Sequence, residues 1–175
     1  MQYDLISKPL ESNPNQSSPS NLMTICIRTY QGSDYSELER VYNLCKPLEL
    51  AGEHEPYQLE TFAEDGPRRS IIFESDIYVC GNSEKMAGFV TIKQEQTLQQ
   101  IGWLYVDPEF QRMGIGQQLL SHIILQYPGD LMLNIVPSNK PALRLYKKNN
   151  FVKFNSFSIN LSGRKLTVDQ MKRSI

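Results

Sequence analysis

Residues 103–120, Trp103-Leu-Tyr-Val-Asp-Pro-Glu-Phe-Gln-Arg-Met-Gly-Ile-Gly-Gln-Gln-Leu-Leu120, constrain the fold of this 175-residue chain more than any other stretch. An apolar, β-prone run ends at Asp107-Pro108. A tight segment with Gly114 and Gly116 follows, and then a helical stripe of Ile115, Leu119, Ile123 and Tyr127. Strand, glycine loop and amphipathic helix in that order leave the N–H groups of a helix start pointing outward at the positive end of its dipole. Glycine lets the backbone approach a ligand closely, so the segment reads as a phosphate cradle, to which Arg112 adds positive charge. A P-loop is excluded because Gly116 is followed by Gln117-Gln118 and not by Lys-Ser/Thr. A dinucleotide fingerprint needs a third glycine in a parallel βαβ unit, which these residues do not supply.

The remainder alternates in the same style. Met23–Thr29 reads as a strand. Asp34-Tyr-Ser-Glu37 resembles a capping box, ahead of Leu38, Val41, Tyr42 and Cys45 on one helical face. Residues 46–69 are polar and irregular, with short helical pieces expected at Pro56 and Pro67. Ile77–Cys80 and Met86–Lys93 flank a five-residue turn and predict an antiparallel hairpin. Leu98–Val106 predicts a strand, residues 114–127 a helix and Leu131–Val136 a buried strand. Ser138-Asn139 offers the N-cap of a helix running to Lys148. Phe151–Leu161 and Arg164–Met171 are two β-prone runs joined at Ser162-Gly163. The pattern is mixed α/β, a sheet with helical crossovers. Residues 1–21 differ, because Ser, Asn, Gln and Pro make up thirteen of them. Such a composition cannot offset the entropy of ordering, so residues 1–21 are expected to be a flexible arm ahead of a domain over 22–175.

The 18 basic and 19 acidic side chains give a net charge of −1, which argues against nucleic-acid and anionic-membrane partners. The sum hides a dipole. Residues 140–175 carry nine bases (Lys140, Arg144, Lys147, Lys148, Lys153, Arg164, Lys165, Lys172, Arg173) and one acid, Asp169, a charge of +8. The preceding residues therefore carry −9. No apolar run reaches the roughly 18–20 residues of a membrane span, and no secretory signal pattern opens the chain. Cys26, Cys45 and Cys80 lie scattered in apolar stretches and read as buried thiols. His54 and His122 belong to no metal-ligand spacing, so no metal is expected. The expected setting is cytoplasmic.

Gln111-Arg112-Met113-Gly114-Ile115-Gly116 resembles the Q/R-x-x-G-x-G/A acetyl-CoA loop of the GNAT acetyltransferase superfamily. A second stretch follows in order. Asn139-Lys-Pro-Ala142-Leu-Arg-Leu-Tyr146-Lys-Lys-Asn-Asn150-Phe151 is similar to the family's N-x-x-A-x-x-x-Y-x-x-x-G-F helix. Together they span residues 103–151, and the element order agrees from about residue 22 onward. The resemblance implies a GNAT acyl-CoA N-acyltransferase fold, a mixed and largely antiparallel sheet flanked by helices, with acetyl-CoA as co-substrate. It implies that strands 98–106 and 131–136 splay apart, so that Leu104-Tyr105-Val106 runs along the pantetheine arm. Gln111, Arg112, Met113, Gly114, Ile115, Gly116 and Gln117 would then hold the pyrophosphate. Asn139 and Ala142 would meet the cofactor arm, Tyr146 its sulfur and Lys148 its 3′-phosphate. Transfer in the family is direct: a neutral amine attacks the thioester, backbone N–H groups steady the oxyanion, and Tyr146 protonates the departing thiolate. A helix aromatic packed on the sheet is the plainer role for Tyr146.

Two departures follow from the same resemblance. Asn150 stands where the family often has glycine, and Asn tolerates the left-handed turn. Asn134 stands where some relatives that acetylate protein N-termini carry a glutamate base, and it cannot take a proton. The acid-rich segment 49–65 is where a base is expected instead, with Glu53, His54 and Glu55 as candidates beside a small cationic acceptor. A solvated acidic loop is the alternative. The expected function is acetyl-CoA-dependent transfer to a small-molecule amine. A peptide or protein amine and a silent acyl-CoA-binding module are its rivals, and homodimer formation stays open.

Overall fold

The computed structural model describes residues 26–82, 84–95 and 98–174, so the arm expected over 1–21 and the first residues of the expected strand 23–29 lie outside the described residues. The alternation read from the sequence is realised as β1 (Cys26–Thr29), α1 (Tyr35–Glu49), α2 (Gly66–Phe73), β2 (Asp76–Gly81), β3 (Met86–Glu95), β4 (Leu98–Val106), α3 (Ile115–Gln126), β5 (Leu131–Ile135), α4 (Lys140–Lys148), β6 (Val152–Leu161) and β7 (Arg164–Arg173). The strands form one seven-stranded sheet in the order β1-β2-β3-β4-β5-β7-β6. β4 and β5 are parallel, and every other neighbouring pair is antiparallel. Among the described residues no helix is long and apolar enough to cross a membrane.

Helices cover both faces. α1 packs on β3 and β4 and buries Leu38, Val41, Tyr42 and Cys45 with Phe62, Ile72, Phe89 and Tyr105. On the other face α3 buries Ile115, Leu119, Leu120 and Ile123 with Val90, Ile92, Ile101 and Leu133, and Tyr146 of α4 joins them. Phe89 and Val90 fall in different clusters because adjacent strand residues point to opposite faces. Fully burying each large apolar side chain contributes about 1.5–3 kcal/mol, which is what presses the helices onto the sheet. A third cluster, Leu50, Val136, Leu161, Leu166 and Val168, joins the end of α1 to the β6–β7 hairpin.

The structure departs from the sequence expectations near α1. Asp34 does not cap α1 with its side chain; its carboxylate accepts from the Gln31 N–H and pairs with Arg28 at 2.7 Å. Glu37 is drawn away from a capping role by Arg40 (2.8 Å) and by the Met86 N–H (2.9 Å). Arg40 also reaches Asp107 at 2.5 Å and the Met86 carbonyl at 3.0 Å, tying α1 to the ends of β3 and β4.

The helix also runs past Pro47 to Glu49, although Pro47 has no N–H for the carbonyl one turn back. Burial of Cys45 and Leu50 on either side holds that last turn, and the Leu50 N–H closes it on the Pro47 carbonyl at 3.2 Å. No helix forms at Pro56. Instead the segment docks on the β6–β7 hairpin: the Arg164 guanidinium lies 4.3 Å from the Tyr57 ring centre and donates to the Pro56 carbonyl at 2.9 Å. A helix does form at Pro67: α2 begins at Gly66, with Pro67 in its first turn and Asp65 accepting from the Arg68 N–H at 3.1 Å as its N-cap.

Candidate active site

β4 pairs with β5 only through Gln99–Leu131, Gln100–Met132 and Ile101–Leu133. Beyond Ile101 the two parallel strands part. On the other side of β4, the register against β3 steps from Val90–Leu104 to Ile92–Ile101, which places one extra residue in β4. This is a bulge. Thr91 lies opposite it, fully buried, and its hydroxyl accepts from the Trp103 N–H at 3.0 Å. The bulge and the missing partner strand turn residues 102–106 into an edge within the sheet.

The glycine loop lies at the end of that edge. Gly114 takes φ +84° as the N-cap of α3, and Arg112, two residues earlier, takes φ +67°, so two residues of this loop use left-handed backbone. The first turn of α3 has no intrahelical acceptors for its N–H groups, and Ile115 anchors it in the core. Gly116 rests against the side chains of Leu104, Val106 and Leu145. Gln111 folds back and donates to the Val106 carbonyl at 3.1 Å, a carbonyl that Cys45 Sγ also approaches at 3.2 Å. Gln117 makes a reciprocal amide pair with Asn149 (2.8 and 3.0 Å), which ties α3 to the end of α4. Outward-facing N–H groups, a left-handed glycine and the unpaired edge of β4 fit the diphosphate and arm of an acyl-CoA.

Between the parted strands lies a cleft of about 530 Å³. Because the sheet opens here, groups from both of its faces meet. Glu49 and Tyr105 enter from the α1 side, Tyr146, Asn139 and Ala142 from the α4 side, and Asn134 from β5. Glu49 Oε2 accepts from Tyr105 Oη at 2.6 Å and from Lys46 Nζ at 3.0 Å. Burial, and then the Glu49 charge, hold the Tyr105 phenol well above the usual tyrosine range. Tyr146 is 6% exposed, with its ring edge-on to Phe151 at 5.6 Å; burial first and Glu49 second push its phenol up as well. Its hydroxyl has no hydrogen-bond partner among the described residues. The cations in the wall are Lys46, Arg68 and Lys93, and Phe157, Ile159 and Leu161 supply an apolar side from β6.

Of the residues named from the sequence, Leu104, Tyr105, Asn139, Ala142 and Tyr146 line the cleft, Val106 does not, and the 111–117 loop meets its wall where Gly116 rests against Leu104. Asn139 uses its Oδ1 to cap α4 through the Ala142 N–H at 3.3 Å. Asn150 takes φ +65°, the left-handed turn expected of it. Lys148 is exposed on the last turn of α4. Glu53, His54 and Glu55 do not line the cleft. Glu53 accepts from the Ser138 hydroxyl at 2.5 Å, Glu55 pairs with Arg164 at 3.4 Å, and His54 is exposed. Sequence reasoning counted Glu49 only as one acid of segment 49–65 and passed over Lys46. Their signal was the i, i+3 spacing on a helix that Pro47 does not stop.

Residues 73–153 match the acetyltransferase (GNAT) domain family. The peptidyl-lysine N-acetyltransferase YjaB of Escherichia coli K12 is 26% identical over 130 residues, 74% of this chain and 83% of that one. The ribosomal protein bS18-alanine N-acetyltransferase of the same strain is 34% identical over 103 residues, 55% of this chain and 64% of that enzyme's length. Among solved structures, yncA of Salmonella typhimurium with its cofactor acetyl-CoA superposes with a TM-score of 0.62 at 18% identity, covering 86% of this chain and 93% of that one.

Proposed function

We propose that the chain is an N-acetyltransferase of the GNAT family that uses acetyl-CoA, and that the amine it acetylates belongs to a peptide or protein. The observation that carries this is the charge of the cleft. Glu49 is the one carboxylate lining it among the described residues, the wall's cations are already paired (Lys46 with Glu49, Arg68 with Asp65, Lys93 with Glu74), and β6 adds an apolar wall. A small polycation gains little from such a lining. One amine at the end of an otherwise apolar or mixed segment suits it better. Of the acids of segment 49–65 beyond Glu49, four are engaged elsewhere, Glu53 with Ser138, Glu55 with Arg164, Glu64 with the Thr61 N–H and hydroxyl, and Asp65 with Arg68, while Glu60 is exposed and does not line the cleft. The two relatives compared above are named for acting on protein amines, which favours the same acceptor class.

Acetyl-CoA supplies the acetyl group as a thioester. In this reading the N–H groups of the 112–117 loop and Arg112 take the diphosphate, and the unpaired edge of β4 at Leu104 and Val106 takes the arm with Asn139 and Ala142. Tyr146 keeps its proton at any working pH, because burial raises its phenol, and so it can act as a donor toward the departing sulfur. Asn134 can hydrogen-bond in the wall but cannot remove a proton from an amine.

The test is acetyl-CoA turnover on peptides with a free N-terminal alanine, peptides with an internal lysine, and spermidine. The peptides are expected to exceed spermidine in kcat/KM, and Tyr146→Phe to lower kcat by roughly 100-fold with acetyl-CoA affinity kept. Preference for spermidine refutes the acceptor class. Binding of acetyl-CoA without turnover of any amine marks a silent module.

A further inference from the structure

We infer that Glu49 accepts the proton of the incoming ammonium and that Lys46 and Tyr105 hold its carboxylate for that step; the inference rests on the acetyltransfer reading above. An α-amine or lysine amine is mostly protonated at neutral pH, with pKa values of about 8 and 10.4, and an ammonium has no lone pair with which to attack. A base must therefore face the cleft. Among the described residues Glu49 is its sole carboxylate, and no histidine lines it. His54 is exposed on the segment after α1, and His122 packs against Tyr78 with a ring distance of 4.7 Å.

The geometry suits the task. Tyr105 Oη and Lys46 Nζ both bind Oε2, at 2.6 and 3.0 Å, and among the described residues none is bonded to Oε1. The side chain is 26% exposed, so it is fixed on one oxygen and open on the other. Tyr146 lies in the same cleft from the opposite face of the sheet, close enough to respond to the Glu49 charge. A proton acceptor and a proton donor thus flank the opening between β4 and β5.

The step balances simply. An N–H bond of the ammonium breaks, its electron pair stays on nitrogen, an O–H bond forms at Glu49, and Glu49 later returns the proton to solvent through the open side. Glu49 is the catalytic group. Lys46 and Tyr105 are positioning residues.

The titratable and charged groups that face Glu49 are Lys46 and Tyr42 on α1, Arg68 on α2, Tyr105 on β4 and Tyr146 on α4. The three tyrosines are all shifted upward, so none changes charge near neutrality. The test compares wild type, Glu49→Gln, Glu49→Asp and Tyr105→Phe on an N-terminal alanine peptide from pH 6.5 to 9, with acetyl-CoA affinity and Tm measured alongside. The ratio of wild-type to Glu49→Gln kcat/KM is expected to be roughly 100 at pH 6.5 and to shrink about tenfold per pH unit. It levels off near pH 8, where the amine deprotonates unaided. Glu49→Asp should regain at least roughly tenfold over Glu49→Gln at pH 6.5, and Tyr105→Phe should lose a few-fold at unchanged acetyl-CoA affinity. A pH-independent ratio, an unimpaired Glu49→Gln, or an Asp variant no better than Gln overturns the assignment. Wild type inactive on every amine overturns the acetyltransfer reading instead.

Discussion

Replacing Arg40 by methionine tests how α1 is joined to the start of the cofactor loop. Asp107 is 1% exposed and caps the turn 108–110, accepting from the Glu109 N–H at 2.9 Å, while Arg40 supplies its counter-charge at 2.5 Å. Removing one partner of a buried pair costs about 3–5 kcal/mol, because the remaining charge is left without compensation. The Arg40 side chain is 30% exposed, so water can reach that side of the pair, and the expected loss lies lower, about 2–3 kcal/mol. For a chain of this size that is a drop of roughly 4–12 °C in Tm. Adding Asp107→Asn to Arg40→Met removes the orphaned charge but keeps an acceptor for the Glu109 N–H, so the double variant should recover about 1–2 kcal/mol.

The assay is urea and thermal unfolding at pH 7, repeated toward acid. Glu37 has its carboxyl held below the usual range, chiefly by Arg40. Its contribution is therefore present above the unfolded-state value and fades as pH falls through the lower folded value. In Arg40→Met that acid-side dependence should flatten. A loss under about 1 kcal/mol, or a double variant no more stable than Arg40→Met, would refute the reasoning.

Two further outcomes follow from close contacts and buried groups. A Cβ at Gly52 would come within 2.6 Å of the Ser138 carbonyl, so Gly52→Ala must push the end of α1 away from the β5–α4 loop and disturb the Glu53–Ser138 bond. We expect about 1–3 kcal/mol of destabilisation and a raised acceptor KM with acetyl-CoA affinity little changed, measured by unfolding and steady-state kinetics. Burial pushes the Cys45 thiol up to about 12 and the Cys80 thiol up to about 11, and Tyr42, Tyr105 and Tyr146 are raised too. The unfolded chain then releases these protons first, so stability is intact below about pH 8.5 and declines above it, by up to about 1.4 kcal/mol per pH unit for each group in play. Urea midpoints that stay flat from pH 8 to 10.5 would contradict this.

Most strands were legible because each is bounded by turn chemistry. β4 was read to its ends, Leu98 and Val106, with Asp107-Pro108 closing it. α3 and α4 were legible through Gly114 and Asn139, residues whose conformations, φ +84° and a side-chain N-cap, have few other uses. The end of α1 was not legible. Proline inside a helix removes a hydrogen bond, and by that rule Pro47 ends the element. The rule yields here because Leu50 inserts into the third apolar cluster and Cys45 into the second, contacts made with residues about 30 to 120 positions away that no local pattern encodes. The capping box at Asp34 failed for a related reason: Arg28 and Arg40, drawn in by the sheet, compete for the two carboxylates.

The same oversight explains why a base was sought in the wrong turn of the chain. The acids of segment 49–65 look equivalent in sequence, a single negative patch beside a basic C-terminal third. Folding separates them by what each can reach. On the segment after α1, Glu53 finds the Ser138 hydroxyl, Glu55 finds Arg164, Glu64 closes a turn on Thr61 and Asp65 caps α2, while Glu60 stays in solvent. Glu49 is carried one helical turn beyond Cys45, and that extra turn takes it off the outer loop and over the opening where β4 leaves β5. What reaches the cleft is one oriented carboxylate, held by Lys46 and Tyr105, beside an apolar wall, a lining that favours a single amine arriving on a larger, less charged body.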